Sequence, residues 1–118
     1  MTTRHPAELD PAALVLRLLD RLQNHDLPPQ LVDEALQTLA HHRRRLTLAV
    51  IREHDEAVSL PDVADEVAVR EHGRPLPELS AETVAEIYIS IYHDHLPRLV
   101  DIGLIAYDQE RDIVRPAY

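Results

Sequence analysis

Cysteine, lysine, phenylalanine and tryptophan are all missing from this chain of 118 residues, and methionine occurs only at position 1. Without cysteine there is no disulfide, no thiolate metal site and no thiol redox switch. Glycine occurs twice, at Gly73 and Gly103, which excludes a glycine-rich phosphate loop. No apolar run reaches the roughly 18 residues of a membrane span. The start, Met-Thr-Thr-Arg-His-Pro-Ala-Glu, lacks the apolar stretch of a secretion signal. The expectation is a cytoplasmic protein with no membrane partner. The length suits one domain with one modest core.

What the chain has in excess is acid. Asp and Glu number 21 against 12 basic residues, all of them Arg, for a net charge of −9. High acid content, no lysine and a core of small aliphatics are the marks of proteins that work in concentrated salt. Carboxylates stay hydrated there, and screening shortens charge repulsion to about 3 Å at 1 M. A GC-rich genome that replaces Lys codons with Arg codons is the other explanation.

Residues 1–9 read as a frayed end. Asp10-Pro11 offers a helix cap with proline at the first helical position. Leu14, Val15, Leu18, Leu19 and Leu22 then recur at helical spacing to about Gln23. Two prolines, Pro28 and Pro29, break that helix. A second stripe follows in Leu31, Val32, Ala35, Leu36 and Leu39. The polar stretch His41 to Arg45 interrupts it, which predicts a break near His41 and a new helix to about His54; one long helix is the alternative. Ala57-Val58-Ser59 is a candidate short strand. Ser59 caps a helix ending near Gly73, with Asp62 three residues on. Residues 74–79 are a proline-bearing loop. Ser80 caps the longest helix, which keeps its period to Ile102, with a kink expected at Pro97. Gly103 stops that helix in a left-handed conformation. Residues 104–107 and 113–115 read as two strands joined by an acidic turn.

The fold class is thus mainly α with a small β-hairpin. Helix, short strand, helix, helix, hairpin over residues 41–115 is the order of a winged helix-turn-helix, here with an extra N-terminal helix. The expected organisation is residues 1–30 as helix and linker, and 31–118 as the winged-helix domain. His42-Arg43-Arg44-Arg45, Ile51-Arg52-Glu53-His54-Asp55, Ser59-Leu60-Pro61-Asp62-Val63-Ala64, Tyr92-His93-Asp94-His95-Leu96-Pro97-Arg98-Leu99 and Gly103-Leu104-Ile105-Ala106-Tyr107-Asp108 together resemble a small winged-helix family of haloarchaea. That family is itself similar to ArsR and PadR repressors. The resemblance implies a DNA-binding transcriptional regulator, commonly a homodimer. Ile89, Ile91 and Asp94 depart from the pattern, because ArsR-type readers tend to carry polar or basic residues there. The hairpin tip departs too, with three acids and one Arg.

On a helix from Ser80, the stripe of Val84, Ile87, Ile91 and Leu99 faces inward. Ser90, His93, Asp94 and Arg98 then lie toward the outer face, as candidate contacts to double-stranded DNA. Arg43, Arg44 and Arg45 form the one basic cluster, either gripping phosphates or making an ordinary solvated helix turn. Arg111 is the hairpin candidate for backbone contact, or a salt-bridge partner of Asp108 or Asp112. The leucine stripe Leu14, Val15, Leu18, Leu19 and Leu22 is the candidate dimer interface; packing on its own domain is the alternative. In molar salt, K+ or other ions held between phosphate and carboxylate are expected to assist binding.

No cofactor or metal is expected, despite eight histidines. His93 and His95 point about 200° apart on a helix and cannot chelate together. His95, on the apolar side, reads as a packed core histidine. No nucleophile motif or singled-out carboxylate pair supports an enzyme. The competing reading is an acidic interaction module that binds a basic protein through Asp62, Asp65, Glu66, Glu82 and Glu86.

Overall fold

The computed structural model describes residues 10–118. The expected frayed end, residues 1–9, lies outside them. The chain divides into two compact units, one running to Ala35 and one from Leu36 to Tyr118. In the first unit, helix α1 (Pro11–Gln23) starts where the Asp10 side chain accepts the Ala13 N–H at 2.8 Å. None of its residues is buried. Helix α2 (Pro29–Thr38) runs across the boundary between the units.

The second unit is mainly helical with a small antiparallel sheet. Its elements are α3 (His42–His54), β1 (Val58–Ser59), α4 (Leu60–His72), a 3-10 turn (Leu76–Glu78), α5 (Ala81–Ser90), a π turn (Ile91–His95), α6 (Leu96–Asp101), β2 (Ile105–Asp108) and β3 (Ile113–Pro116). The interruption at His41 is therefore a real break between α2 and α3. The sheet order is β1-β3-β2, with Val114 paired to Val58 on one side and Tyr107 on the other.

Local chemistry sets the boundaries. Ser59 Oγ accepts from the Asp62 N–H at 3.1 Å, and Ser80 Oγ accepts from the Thr83 N–H at 3.1 Å. Each such cap is worth about 1 kcal/mol. Gly73 closes α4 with φ 65°. After α6, Gly103 has φ 88°; its N–H meets the Val100 carbonyl while the Leu104 N–H reaches back to Leu99. This double bond pattern is the Schellman closure that glycine permits.

The kink expected at Pro97 takes another form. Proline cannot donate and its ring crowds the carbonyl four residues back. The chain answers one residue earlier, where the Leu96 N–H bonds to Ile91, five residues back. That widened turn inserts one residue, so His95 and Leu96 both turn inward. The core joins Val50 and Ile51 of α3 with Leu60, Val63 and Val67 of α4. Ile87, Ile91, Leu96 and Leu99 of the long helical run complete it with Ile105 and Val114 of the sheet.

Asp112 locks the hairpin to the helices. It has a left-handed backbone, φ 54°, which Asp tolerates better than most residues. Its carbonyl accepts the Leu60 N–H at 2.8 Å, where α4 begins. Its Oδ2 accepts from the Tyr88 hydroxyl and its Oδ1 from the Tyr107 hydroxyl, both at 2.6 Å. The bond to Asp112 pushes the Tyr88 phenol up to about 12. Burial and the same carboxylate raise Tyr107 as well.

A folded state that holds Tyr88 protonated gains stability that is fully present below pH 10, the ordinary tyrosine value, and lost as pH rises through about 12. Asp112→Asn keeps the shape and the left-handed backbone but removes the charge. Urea unfolding is expected to show a loss of about 1–2 kcal/mol. Tyrosine ionisation, followed by absorbance, is expected to show the late Tyr88 component moving back toward the ordinary value.

Candidate functional site

The arginine run that looked like a basic cluster is dispersed by the fold. Arg43 turns to α4 and forms a two-pronged pair with Glu71, with Nε to Oε2 at 2.8 Å and Nη2 to Oε1. This bond raises the Arg43 guanidinium and lowers the Glu71 carboxyl. Arg45 reaches back to the Leu39 carbonyl at 2.6 Å. Arg44 goes inward: it is 4% exposed, and its Nη1 donates to the carbonyls of Gln37 at 3.0 Å and Thr38 at 3.3 Å. Two of the three arginines thus donate to carbonyls at and just past the end of α2, where the helical ladder runs out. Arg43 and Arg44 do not form the surface phosphate clamp that their spacing suggested, because one is engaged by an acid and the other is buried.

Arg44 also donates from Nε to His95 Nδ1 at 3.3 Å. His95 is 8% exposed, the packed histidine expected from its place on the apolar stripe. Burial, then the Arg44 charge, lowers its pKa from the ordinary 6.5, so the neutral ring is the favoured form. An imidazole that accepts at Nδ1 carries its proton on Nε2. His41, at the start of α3, lies with its ring centre 6.0 Å from that of His95.

These groups border a cleft of about 600 Å³ that also takes in His93, Asp94, Arg98 and Asp101. Four of the residues singled out from sequence, Arg44, His93, Asp94 and Arg98, therefore meet in one place. His93, Asp94 and Arg98 are exposed along the π turn and α6. Ser90 is half-buried and outside the cleft. Arg111 is on the turn between β2 and β3, well exposed, with its Nε 3.8 Å from Asp108 Oδ2. Sequence reasoning missed His41 and Asp101 as neighbours of this group, and Glu71 as the partner of Arg43. The spacing of Asp94, Arg98 and Asp101 at helical steps was the available signal.

The outer face of α5 is different in character. Glu82, Ala85, Glu86 and Ile89 are exposed there, with Ile89 at 54%. Between α4, the 3-10 turn and α5 lies a second cleft of about 560 Å³. It is apolar, lined by Ala64, Leu76, Leu79, Val84 and Tyr88, with Asp65 at its wall.

Among the described residues, no group of three or more His, Asp or Glu is placed to hold a metal ion, and no helix is long and apolar enough to cross a membrane. The chain belongs to the family described as Domain of unknown function (DUF7344), whose model matches residues 36–115. The match coincides with the second unit and leaves α1 outside. No curated protein and no solved structure matches the chain.

Neutral His95 makes the unit sensitive to acid. A lowered pKa in the folded state gives stability that is present above pH 6.5 and lost as pH falls below it, because the unfolded chain takes up the proton first. Denaturant midpoints between about pH 8 and about pH 5 are expected to fall on the acid side. In His95→Gln the fall is expected to be shallower.

Proposed function

We propose that the second unit is a winged helix-turn-helix and that the protein is a DNA-binding transcriptional regulator, read as homodimeric and working in high salt. The observation that carries the reading is the element order α3, β1, α4, long helical run, β2, β3, with β1 pairing to the last strand. This arrangement braces the run from Ser80 against two helices and puts a two-stranded hairpin after it, as groove reading requires. On that run, Ser90 and His93 offer donors to base edges, Arg98 offers a phosphate contact, and Asp94 can accept from cytosine N4. Arg111 and Arg45, both exposed, are the remaining backbone contacts of the proposal.

A net charge of −9 opposes a duplex at low salt. In molar salt the long-range repulsion is screened, and so is the usual gain from counterion release. Binding then rests on shape, hydrogen bonds, water and K+ ions shared between phosphate and carboxylate. The second reading, an acidic module for a basic protein partner, is favoured by Glu82 and Glu86 on the face of α5 and by the apolar cleft beside it.

For the dimer, the supporting observation is the leucine face of α1. Leu14, Val15, Leu18 and Leu19 are 45–59% exposed, and Leu22 is half-buried. A two-fold pairing through this face gives a palindromic DNA site.

Fluorescence anisotropy with genomic duplex fragments from about 0.2 to about 3 M KCl is expected to show affinity that changes little or rises with salt. Ser90→Ala/His93→Ala is expected to weaken binding about tenfold, ~1.4 kcal/mol. A steeply falling log–log slope argues against the salt-adapted mode, and absence of binding at every salt favours the acidic-module reading. Light scattering in high KCl is expected to give a dimer mass for the wild type and a monomer mass for Leu14→Glu/Leu18→Glu. A dimer that survives both changes removes α1 from the interface.

A further inference from the structure

The interior edge of the polar cleft carries two donor nitrogens for which the described residues supply no partner. Arg44 has five N–H donors; Nε meets His95 and Nη1 meets Gln37 and Thr38, while Nη2 has no hydrogen-bond partner among the described residues. His95 accepts at Nδ1, and its Nε2–H likewise has no partner among them. Both residues are more than nine-tenths buried. Yet among the described residues no fully buried side-chain nitrogen or oxygen is left unsatisfied, so these two atoms keep contact with solvent. The cleft is the opening that both residues border.

Charge points the same way. Arg44 has no carboxylate within ion-pair distance among the described residues, and its negative neighbours at bonding distance are carbonyl dipoles. Burial, then the charge of nearby Arg98, works against its protonated form, and the Asp94 carboxylate offsets this only in part. A desolvated cation with no carboxylate in contact is costly, and a second cation nearby raises the cost. An anion between them removes both penalties. Asp94 and Asp101 on the same cleft limit what can enter, because they repel a ligand that spreads negative charge widely.

We propose that this cleft is a binding site for one small oxyanion, a phosphate or carboxylate group, whose oxygens accept from Arg44 Nη2, His95 Nε2–H and Arg98. The site joins α3, the π turn and α6, so its occupant bridges the start of one helix and the far end of the run proposed to read DNA. The binding of the anion itself does not rest on the DNA reading, and its test needs no DNA activity.

The test is a titration of the full-length protein with inorganic phosphate at constant ionic strength in KCl, read by the ring nitrogens of the histidines in nuclear magnetic resonance. Saturable movement of His95 and His93 is expected, with His54 and His72 still, and a dissociation constant on the order of 1 mM. Because replacing buried Arg44 risks the fold, the exposed Arg98→Gln is the decisive variant; it is expected to weaken the midpoint at least about tenfold. Drift that never saturates, movement shared by all histidines, or a midpoint unchanged in Arg98→Gln overturns the site. A parallel arm uses a short duplex. Movement with duplex and none with inorganic phosphate assigns the cleft to the DNA surface and overturns the small-anion site.

Discussion

Asp112 holds three parts of the second unit in fixed relation through one residue. Its carbonyl fixes the start of α4, and its two carboxylate oxygens take the hydroxyls of Tyr88 on α5 and Tyr107 on β2. A carboxylate only accepts, and bonds to a charged acceptor are stronger than neutral ones. The hairpin is therefore tied to the long helical run by directed bonds as well as by packing. Tyrosine rings fill this seam in a chain that has no Phe or Trp. Tyr92 joins it, its ring 6.4 Å from Tyr88 and 6.2 Å from Tyr107. Each phenol contributes apolar area, and each hydroxyl then needs a partner. Asp112 supplies two of them and Gln109 reaches the third, its Nε2 donating to the Tyr92 hydroxyl at 3.3 Å. The angle at which the hairpin leaves the helices follows from this seam.

Arginine solves a different problem at the other end of the unit. The end of α2 presents carbonyls beyond its helical ladder, Gln37 with the Ala40 N–H on it, and the break before α3 brings Arg44 and Arg45 back over Gln37, Thr38 and Leu39. Arg43 uses its planar fork on Glu71, a geometry that lysine cannot match. The consequence is electrostatic as well as structural. Within the densest cationic stretch of an acidic chain, Arg44 is buried and Arg43 is engaged by Glu71, so of the three only Arg45 is exposed. Any contact with a polyanion then depends on single exposed arginines, Arg98 and Arg111 among them, and on screening.

Much of the fold was legible because its signals are local. Ser59, Ser80, Gly73 and Gly103 act within one helical turn of themselves, so sequence spacing alone places them. The short strand before α4 was legible from Val58 next to a cap. Three features were not. Pro97 announces that a normal helix cannot pass, yet whether the chain kinks or widens depends on which register buries Leu96 and Leu99 beside His95. A run of arginines reads as a solvated face, and only the path from α2 to α3 turns Arg44 inward. Asp112 looked like one acid among several in a turn, since nothing nearby in sequence reveals that two hydroxyls from other elements converge on it. The candidate site was half visible: His93, Asp94 and Arg98 share a helix, whereas His41 and Arg44 arrive from another.

The buried Arg44–His95 pair calls for a reason beyond stability. Two apolar side chains of similar volume in its place would avoid the cost of removing a guanidinium from water, and such replacements are often neutral or stabilising. Capping α2 explains Arg44 Nη1, but not Nη2 and not the choice of histidine opposite Nε, where an amide would accept as well. Histidine adds a second nitrogen whose proton is fixed on the far side by the first bond. Paired with Nη2, it presents donors from a rigid wall rather than from flexible surface chains, which lowers the ordering cost of binding. His95 reaches that wall from its place on the apolar stripe, and the widened turn before Pro97 turns Leu96 inward beside it while Arg98 stays on the rim. The inserted residue thus sets the register of the run, sending Leu96 and Leu99 to the core and leaving Asp94, Arg98 and Asp101 at the cleft.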